Sequence, residues 1–316
     1  MVETEQVALS KAIQRRTGTT FYAATKLLPA RVRHPTYVLY AFFRCADEVV
    51  DAADAPPPHV QRAKLEQLRR QALGEEATDH PVLAAFQEVK AHHGIADEDV
   101  DAFIDAMLAD VDTRRYATYE ELEAYMHGSA GAVGHMMTSV MAPDDPERAR
   151  PHARALGEAF QLTNFLRDVR EDVVDRDRIY LPLETLDAYG ITEADVTRFE
   201  MSEGFAQAIQ HELRRAEHRY KQGVAGIPYL PEDCRLPVLT AAVLYADHHR
   251  LIRTVDFDVL TNEPELTRRR LLALVARVRW HWYWSSDPAK VFERVSDISL
   301  SAAQPPGHLE RPMQTN

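Results

Sequence analysis

Cysteine is almost missing from this chain of 316 residues. Cys45 and Cys234 are the only two, which excludes a disulfide framework and a thiolate metal site and points to a reducing interior. Lysine is scarce too: six residues (Lys11, Lys26, Lys64, Lys90, Lys221 and Lys290) stand among 37 basic side chains. No apolar run reaches the length of a membrane span; "LPVLTAAVLYA" from Leu236 is among the longest. The opening "MVETEQVALSKAIQRR" lacks the apolar stretch of a signal peptide. A soluble, cytoplasmic protein is therefore expected. No long alternation of apolar and polar residues argues for strands, and no fixed-period repeat argues for a solenoid. Basic charge is also in deficit, 37 Lys plus Arg against 49 Asp plus Glu, for a net charge of −12. That balance speaks against a nucleic-acid partner, because binding phosphates needs a basic surface. Acid excess with so little lysine predicts a surface kept hydrated in high salt, a halophilic origin. A genome favouring arginine codons would explain the lysine shortage but not the acids.

What is present is helical periodicity. Between Pro35 and Val50, Val38, Leu39, Phe42, Phe43, Ala46 and Val49 recur at spacings of three and four. Breaks fall at 54–59, 73–81, 141–151, 181–190, 226–237 and 261–264, none long enough for an interdomain linker. Thr192 followed by Asp195, and Ser202 followed by Phe205, read as helix starts. The expectation is an all-α protein, one domain over residues 1–300 with about ten helices, and a disordered tail over 301–316.

Two acid pairs stand out. "YAFFRCADEVVD" (40–51) carries Asp47 and Asp51 four residues apart, a spacing that leaves carboxylates about 40° apart around a helix and about 6 Å apart along it. Arg44 lies near the same face. "QLTNFLRDVREDVVDRDRIYLP" (161–182) repeats the arrangement with Asp168 and Asp172, and Gln161 and Asn164 extend the ribbon between apolar neighbours. A single such pair is an ordinary helix surface. Two semi-buried pairs repel internally and call for a cation. Carboxylates and an amide without His or Cys are hard oxygen ligands suited to Mg²⁺ bridging to phosphates. Glu171 falls to the flank and Asp177 opposite Asp168, whereas Asp175 returns toward the ribbon one turn beyond the motif.

"TFYAATKLLP", "YVLYAFFRCADEVVD", "AGAVG" and "GEAFQLTNFLRDVREDVVDRDRIYLP" together resemble the squalene/phytoene synthase family of head-to-head prenyl transferases, over roughly residues 10–295. "RVRHPTYVLYAFFR" and "ADHHRLIRTVDFDVL" are similar to its haloarchaeal members. The resemblance implies an isoprenoid synthase-type helical bundle around a central apolar cavity. It makes Asp47, Asp51, Asn164, Asp168 and Asp172 metal ligands, the four aspartates catalytic. Thr20, Tyr40, Arg44, Gln161, Arg167 and Tyr245 fall at substrate-binding positions, Tyr245 being equally readable as a core aromatic. The implied activity is 15-cis-phytoene synthesis. Two geranylgeranyl diphosphates condense through prephytoene diphosphate, with Mg²⁺ (or Mn²⁺) and without NADPH. The alternatives are a C15-using synthase of squalene, dehydrosqualene or hydroxysqualene, and a non-catalytic assembly protein of the same family.

Two departures from the family pattern are visible. Thr19 stands where relatives often carry a basic residue, and His127 replaces a second tyrosine, as a proton acceptor or as a structural histidine. Aromatic faces near the motifs (Phe21, Tyr22, Tyr40, Phe42, Phe43, Phe160, Phe165) divide between core and cation-facing walls, which periodicity cannot separate. Finally, "RRRLLALVARVRWHWYWSSDP" (268–288) reads either as a basic, aromatic surface for peripheral membrane contact or as a helix packing its aromatics inward.

Overall fold

Val38, Leu39, Phe42 and Ala46 are fully buried, and their spacing sets the inward stripe of the first helix among the described residues, α1 (Ala30–Asp51). The computed structural model describes residues 24–52 and 56–303. The helix begins five residues before the Pro35 start that the periodicity suggests, so Pro35 lies inside it. Its opposite face carries Tyr40, Arg44, Asp47 and Asp51 at spacings of four, three and four.

Thirteen further α-helices follow among the described residues: α2 (Pro58–Leu73), α3 (Pro81–His93), α4 (Asp97–Asp110), α5 (Tyr119–Met126), α6 (Ala132–Met141), α7 (Pro146–Arg167), α8 (Val169–Arg176), α9 (Leu183–Ala188), α10 (Glu193–Thr197), α11 (Glu203–Val224), α12 (Glu232–Thr254), α13 (Arg268–Trp284) and α14 (Pro288–Val295). That is more than the ten expected. The apparent break at 141–151 contains the start of α7, because proline in a first turn is compatible with a helix, and that at 181–190 contains the short α9, which begins just after Pro182. Both anticipated starts are present: Thr192 and Asp195 form a reciprocal capping box, and the Ser202 hydroxyl accepts from the Phe205 N–H. No strand forms among the described residues. An isolated bridge pairs Arg115 with Ile179.

Two close approaches position the site. α7 packs along α6 and α11, and a Cβ on Gly134 would lie 2.5 Å from the Ala153 carbonyl oxygen, one on Gly157 2.5 Å from that of Ala130. Only glycine permits this separation. Between α5 and α6 the chain makes one π-helical turn, His127–Gly131, a form frequent at functional sites. The segment after α8 is pinned by Ile179 N–H to the Arg114 carbonyl (3.0 Å) and Leu183 N–H to that of Tyr116 (2.9 Å).

The packed structure runs past the expected boundary at 300. Ala303 is buried, and its carbonyl accepts from Lys221 Nζ at 3.2 Å.

Candidate active site

α1 and the α7–α8 junction face one another across a cleft of about 530 Å³, a volume in the range of small-molecule sites. Tyr40, Arg44, Asp47 and Asp51 line it from α1; Gln161, Asn164, Arg167, Asp168 and Asp172 line it from the other side, with Tyr245 from α12. Every site residue anticipated from the sequence and lying among the described residues is thus in one cleft. Thr20 lies outside the described residues.

The ribbon is not one straight helix. α7 ends at Arg167, and Asp168 takes φ −101°, ψ 17° before α8 starts. Asp168 N–H still donates to the Asn164 carbonyl (2.8 Å) and Asp172 N–H to that of Asp168 (2.9 Å), so the four-residue repeat survives the kink.

The charges are arranged as two acid pairs separated by arginines. Arg44 Nη1 donates to Asp47 Oδ2 at 3.1 Å. Arg167 holds both carboxylate oxygens of Asp168. Arg176 reaches across the cleft, to Asp51 Oδ2 at 3.4 Å and Asp172 Oδ1 at 3.0 Å. Arg178, almost fully buried, donates to Asp51 Oδ1 at 3.0 Å. Even so, burial pushes the Asp47 carboxyl up to about 6, against the pull of Arg44. Burial likewise raises Asp172 to about 7, opposed by Arg176.

Several residues here had no site signal in the sequence. Asp110, at the end of α4, is buried and accepts from the Tyr125 hydroxyl at 2.8 Å, while its Oδ1 has no hydrogen-bond partner among the described residues and lies 3.9 Å from Arg178 Nη1. Burial raises its carboxyl to about 7. Ser129, Val133 and Tyr125 reach the wall at four-residue spacing through the π turn. Asp110 has no acid three or four residues away on either side, so no paired motif marks it. Arg176 and Arg178 do sit in the quoted stretch, but their reach to Asp51, more than 100 residues away in the chain, depends on tertiary packing.

Other acids and His127 separate from the site. Glu171 sits at the rim, 3.4 Å from Arg176. Asp177 pairs with Arg115 at 3.0 Å, and Asp175 is exposed and does not line the cleft. His127 is exposed and lines neither the cleft nor the chamber beside it.

The aromatics are now sorted. Tyr40, Phe43 and Phe165 line the cleft, with Phe165 stacked on Tyr180 at 3.9 Å between centroids. Phe42 stacks on Phe86 in the core. Phe160 faces a second, apolar chamber with Leu156, Met137 and Leu28, whose wall also carries Gly134, Gly157, Ala153 and Ala241. Val133 lines both spaces, and Phe160 stacks on Tyr245 at 4.4 Å at their boundary. Phe21 and Tyr22 lie outside the described residues.

Among the described residues no three acid, His or Cys side chains are drawn into a closed metal cage. The donors are two facing oxygen pairs with a gap between, and their burial disfavours two of the carboxylates unless a cation joins them. That donor set fits a Mg²⁺ that completes its shell with waters and phosphate oxygens.

The squalene/phytoene synthase family model matches residues 14–270. The phytoene synthase of Rhodobacter capsulatus is 33% identical over 264 residues, 83% of this chain and 77% of the relative. The 15-cis-phytoene synthase of Synechococcus elongatus is 32% identical over 284 residues, 85% of this chain and 91% of the relative. Among solved structures, a dehydrosqualene synthase in complex with a ligand superposes with a TM-score of 0.80 at 27% identity, covering 89% of this chain and 97% of that one.

Proposed function

The chain belongs to the squalene/phytoene synthase family of prenyl transferases, and on that premise we propose that it is a Mg²⁺-dependent 15-cis-phytoene synthase. It would condense two geranylgeranyl diphosphates head to head, through prephytoene diphosphate, and release two diphosphates. What supports this reading is the juxtaposition of Asp47 and Asp51 with Asp168 and Asp172 across one cleft, beside an apolar chamber.

Mg²⁺ held by Asp47, Asp51, Asn164, Asp168 and Asp172 would supply positive charge to a departing diphosphate. The guanidinium groups of Arg44, Arg167, Arg176 and Arg178 add preorganised charge in the same cleft. Tyr40, Gln161 and Tyr245 border the place where the diphosphate end meets the prenyl end. Phe165, Tyr180 and Tyr125 line the cleft, where aromatic rings would stabilise a carbocation and help to keep water from it. The apolar chamber, walled by glycine and alanine, leaves room along a prenyl tail for the longer substrate.

The dehydrosqualene synthase likeness favours one second reading, a synthase that takes C15 substrates. Parallel incubation with geranylgeranyl and farnesyl diphosphates, with Mg²⁺ and with or without NADPH, separates the two by the mass of the hydrocarbon. Phytoene from the C20 substrate, independent of NADPH, is expected. Product from farnesyl diphosphate alone would overturn the C20 reading, and no diphosphate release from either would leave an assembly role.

A further inference from the structure

Six large apolar side chains are exposed among the described residues, and four of them (Leu272, Trp280, Tyr283 and Trp284) lie on the single helix α13. Trp280, Tyr283 and Trp284 are 64, 80 and 67% exposed. They form one cluster, with ring centroids 6.0 Å apart for Trp280 and Trp284 and 5.2 Å for Tyr283 and Trp284. The inward face is already satisfied: Leu274 and Val278 are fully buried, and Trp282 packs with them against α12 and α14. The tryptophans at 280 and 284 are therefore not core residues seen edge-on. They are a second apolar face.

Helix geometry organises that face. At about 100° per residue, Trp280, Trp284, Tyr283, Ala276 and Ala273 share one stripe down a helix about 25 Å long. Arg277 and Arg279 flank it on opposite sides, Arg268 lies on the Arg279 side, and Arg269 sits at the stripe's N-terminal end. Arg268, Arg269 and Arg279 have no hydrogen-bond or ion-pair partner among the described residues. α13 holds no acid, in a chain whose net charge is −12. This is a local reversal of sign wrapped around exposed indoles.

We infer that the Leu272–Trp284 face of α13 docks the protein on an anionic lipid bilayer, helix axis parallel to the surface, with Trp280, Tyr283 and Trp284 at headgroup depth. The chemistry of the occupant follows from the pattern. Trp and Tyr have an apolar body with a polar edge and favour the membrane–water boundary, and flanking arginines meet anionic headgroups. A protein partner would have to offer acids on both sides of an aromatic groove; an anionic bilayer offers this everywhere. Among the described residues no helix is long and apolar enough to cross a membrane, so the contact is peripheral. The inference stands on the surface itself and not on the substrate reading.

The test is vesicle flotation of the full chain with phosphatidylcholine alone and with added phosphatidylglycerol, at several salt concentrations that keep it folded. The wild-type chain is expected to float with the anionic vesicles. Joint Trp280→Ser, Tyr283→Ser and Trp284→Ser substitution should abolish flotation while the CD melting curve is unchanged, because these side chains are exposed. Joint Arg268→Gln, Arg269→Gln and Arg279→Gln substitution should lower the partition coefficient about fivefold per arginine in low salt. That difference should vanish near 1 M salt, where the screening length is about 3 Å. Wild-type protein remaining at the bottom with anionic vesicles would overturn the inference. So would serine variants that float as well as wild type, or that change only from dimer to monomer on sedimentation, which would make the stripe an interface between copies.

Discussion

Asp51 and Asp172 share one cation: the guanidinium of Arg176 lies 3.4 Å from the first and 3.0 Å from the second. It ties α1 to α8 across the cleft where a divalent cation would do the same. Arg176→Gln is therefore expected to cost roughly 1–2 kcal/mol in the absence of metal, since Asp172 is left buried without its partner. Added MgCl₂ should then raise the melting temperature more in the variant than in the wild type. Equal shifts in a thermal melt with and without Mg²⁺ would count against Arg176 as a placeholder.

Removing one carboxylate from either pair should end catalysis without unfolding the bundle. Asp47→Ala and Asp168→Ala are expected to lose diphosphate release by at least two orders of magnitude, the scale of a lost electrostatic contact in a transition state. The helical CD spectrum should stay near that of wild type. Substantial turnover in either variant would remove that aspartate from the proposed metal set.

The spacing of α6 and α7 rests on a missing side chain. Gly134→Val puts carbon where the Ala153 carbonyl oxygen is 2.5 Å away, and backbone cannot yield as a flexible side chain does. A loss of about 1–3 kcal/mol is expected, measured as a lower urea midpoint. Activity at temperatures where the variant is folded should fall as well, since both helices line the apolar chamber.

His211 supplies a pH dependence of stability away from the site. Burial, aided by Arg215 and Arg214, lowers its imidazole to about 4 from an ordinary 6.5, and its ring bonds to the Tyr189 hydroxyl at 3.2 Å. The folded ring stays neutral while the unfolded ring takes a proton below about 6.5. This contribution is thus fully present above pH 6.5 and is lost as pH falls toward 4. In His211→Gln, urea titrations across that window should show a shallower acid loss than wild type. Parallel curves would show that His211 does not titrate on unfolding.

Forty-nine acids on 316 residues repel one another in dilute buffer, and screening should relieve them. The melting temperature is expected to climb with KCl into the molar range. Full stability and activity with no added salt would refute the halophilic reading.

Legibility was uneven for physical reasons. Asp47 with Asp51, and Asp168 with Asp172, are separated by one helical turn, so their pairing follows from local geometry, and the apolar stripe beside each predicts which side is buried. Asp110 and Tyr125 meet only because the end of α4 packs near α5, a contact that no periodicity encodes. The fate of the aromatics had the same character. Phe42 and Phe43 are neighbours in the chain, yet one is core and the other lines the cleft, because a helix turns about 100° between them.

The sequence alone determined an all-helical chain, two acid pairs with an amide-bearing ribbon, and a net charge of −12, all properties of spacing within a helix or of composition. Only the tertiary structure decided that the two pairs share a cleft bridged by Arg176, and that Asp175 and His127 stand apart from it. It also decided that Trp280, Tyr283 and Trp284 face outward while Trp282 packs inward. Those outcomes depend on which helix lies against which, and packing between distant segments is chosen by the whole core rather than by any one stretch of it.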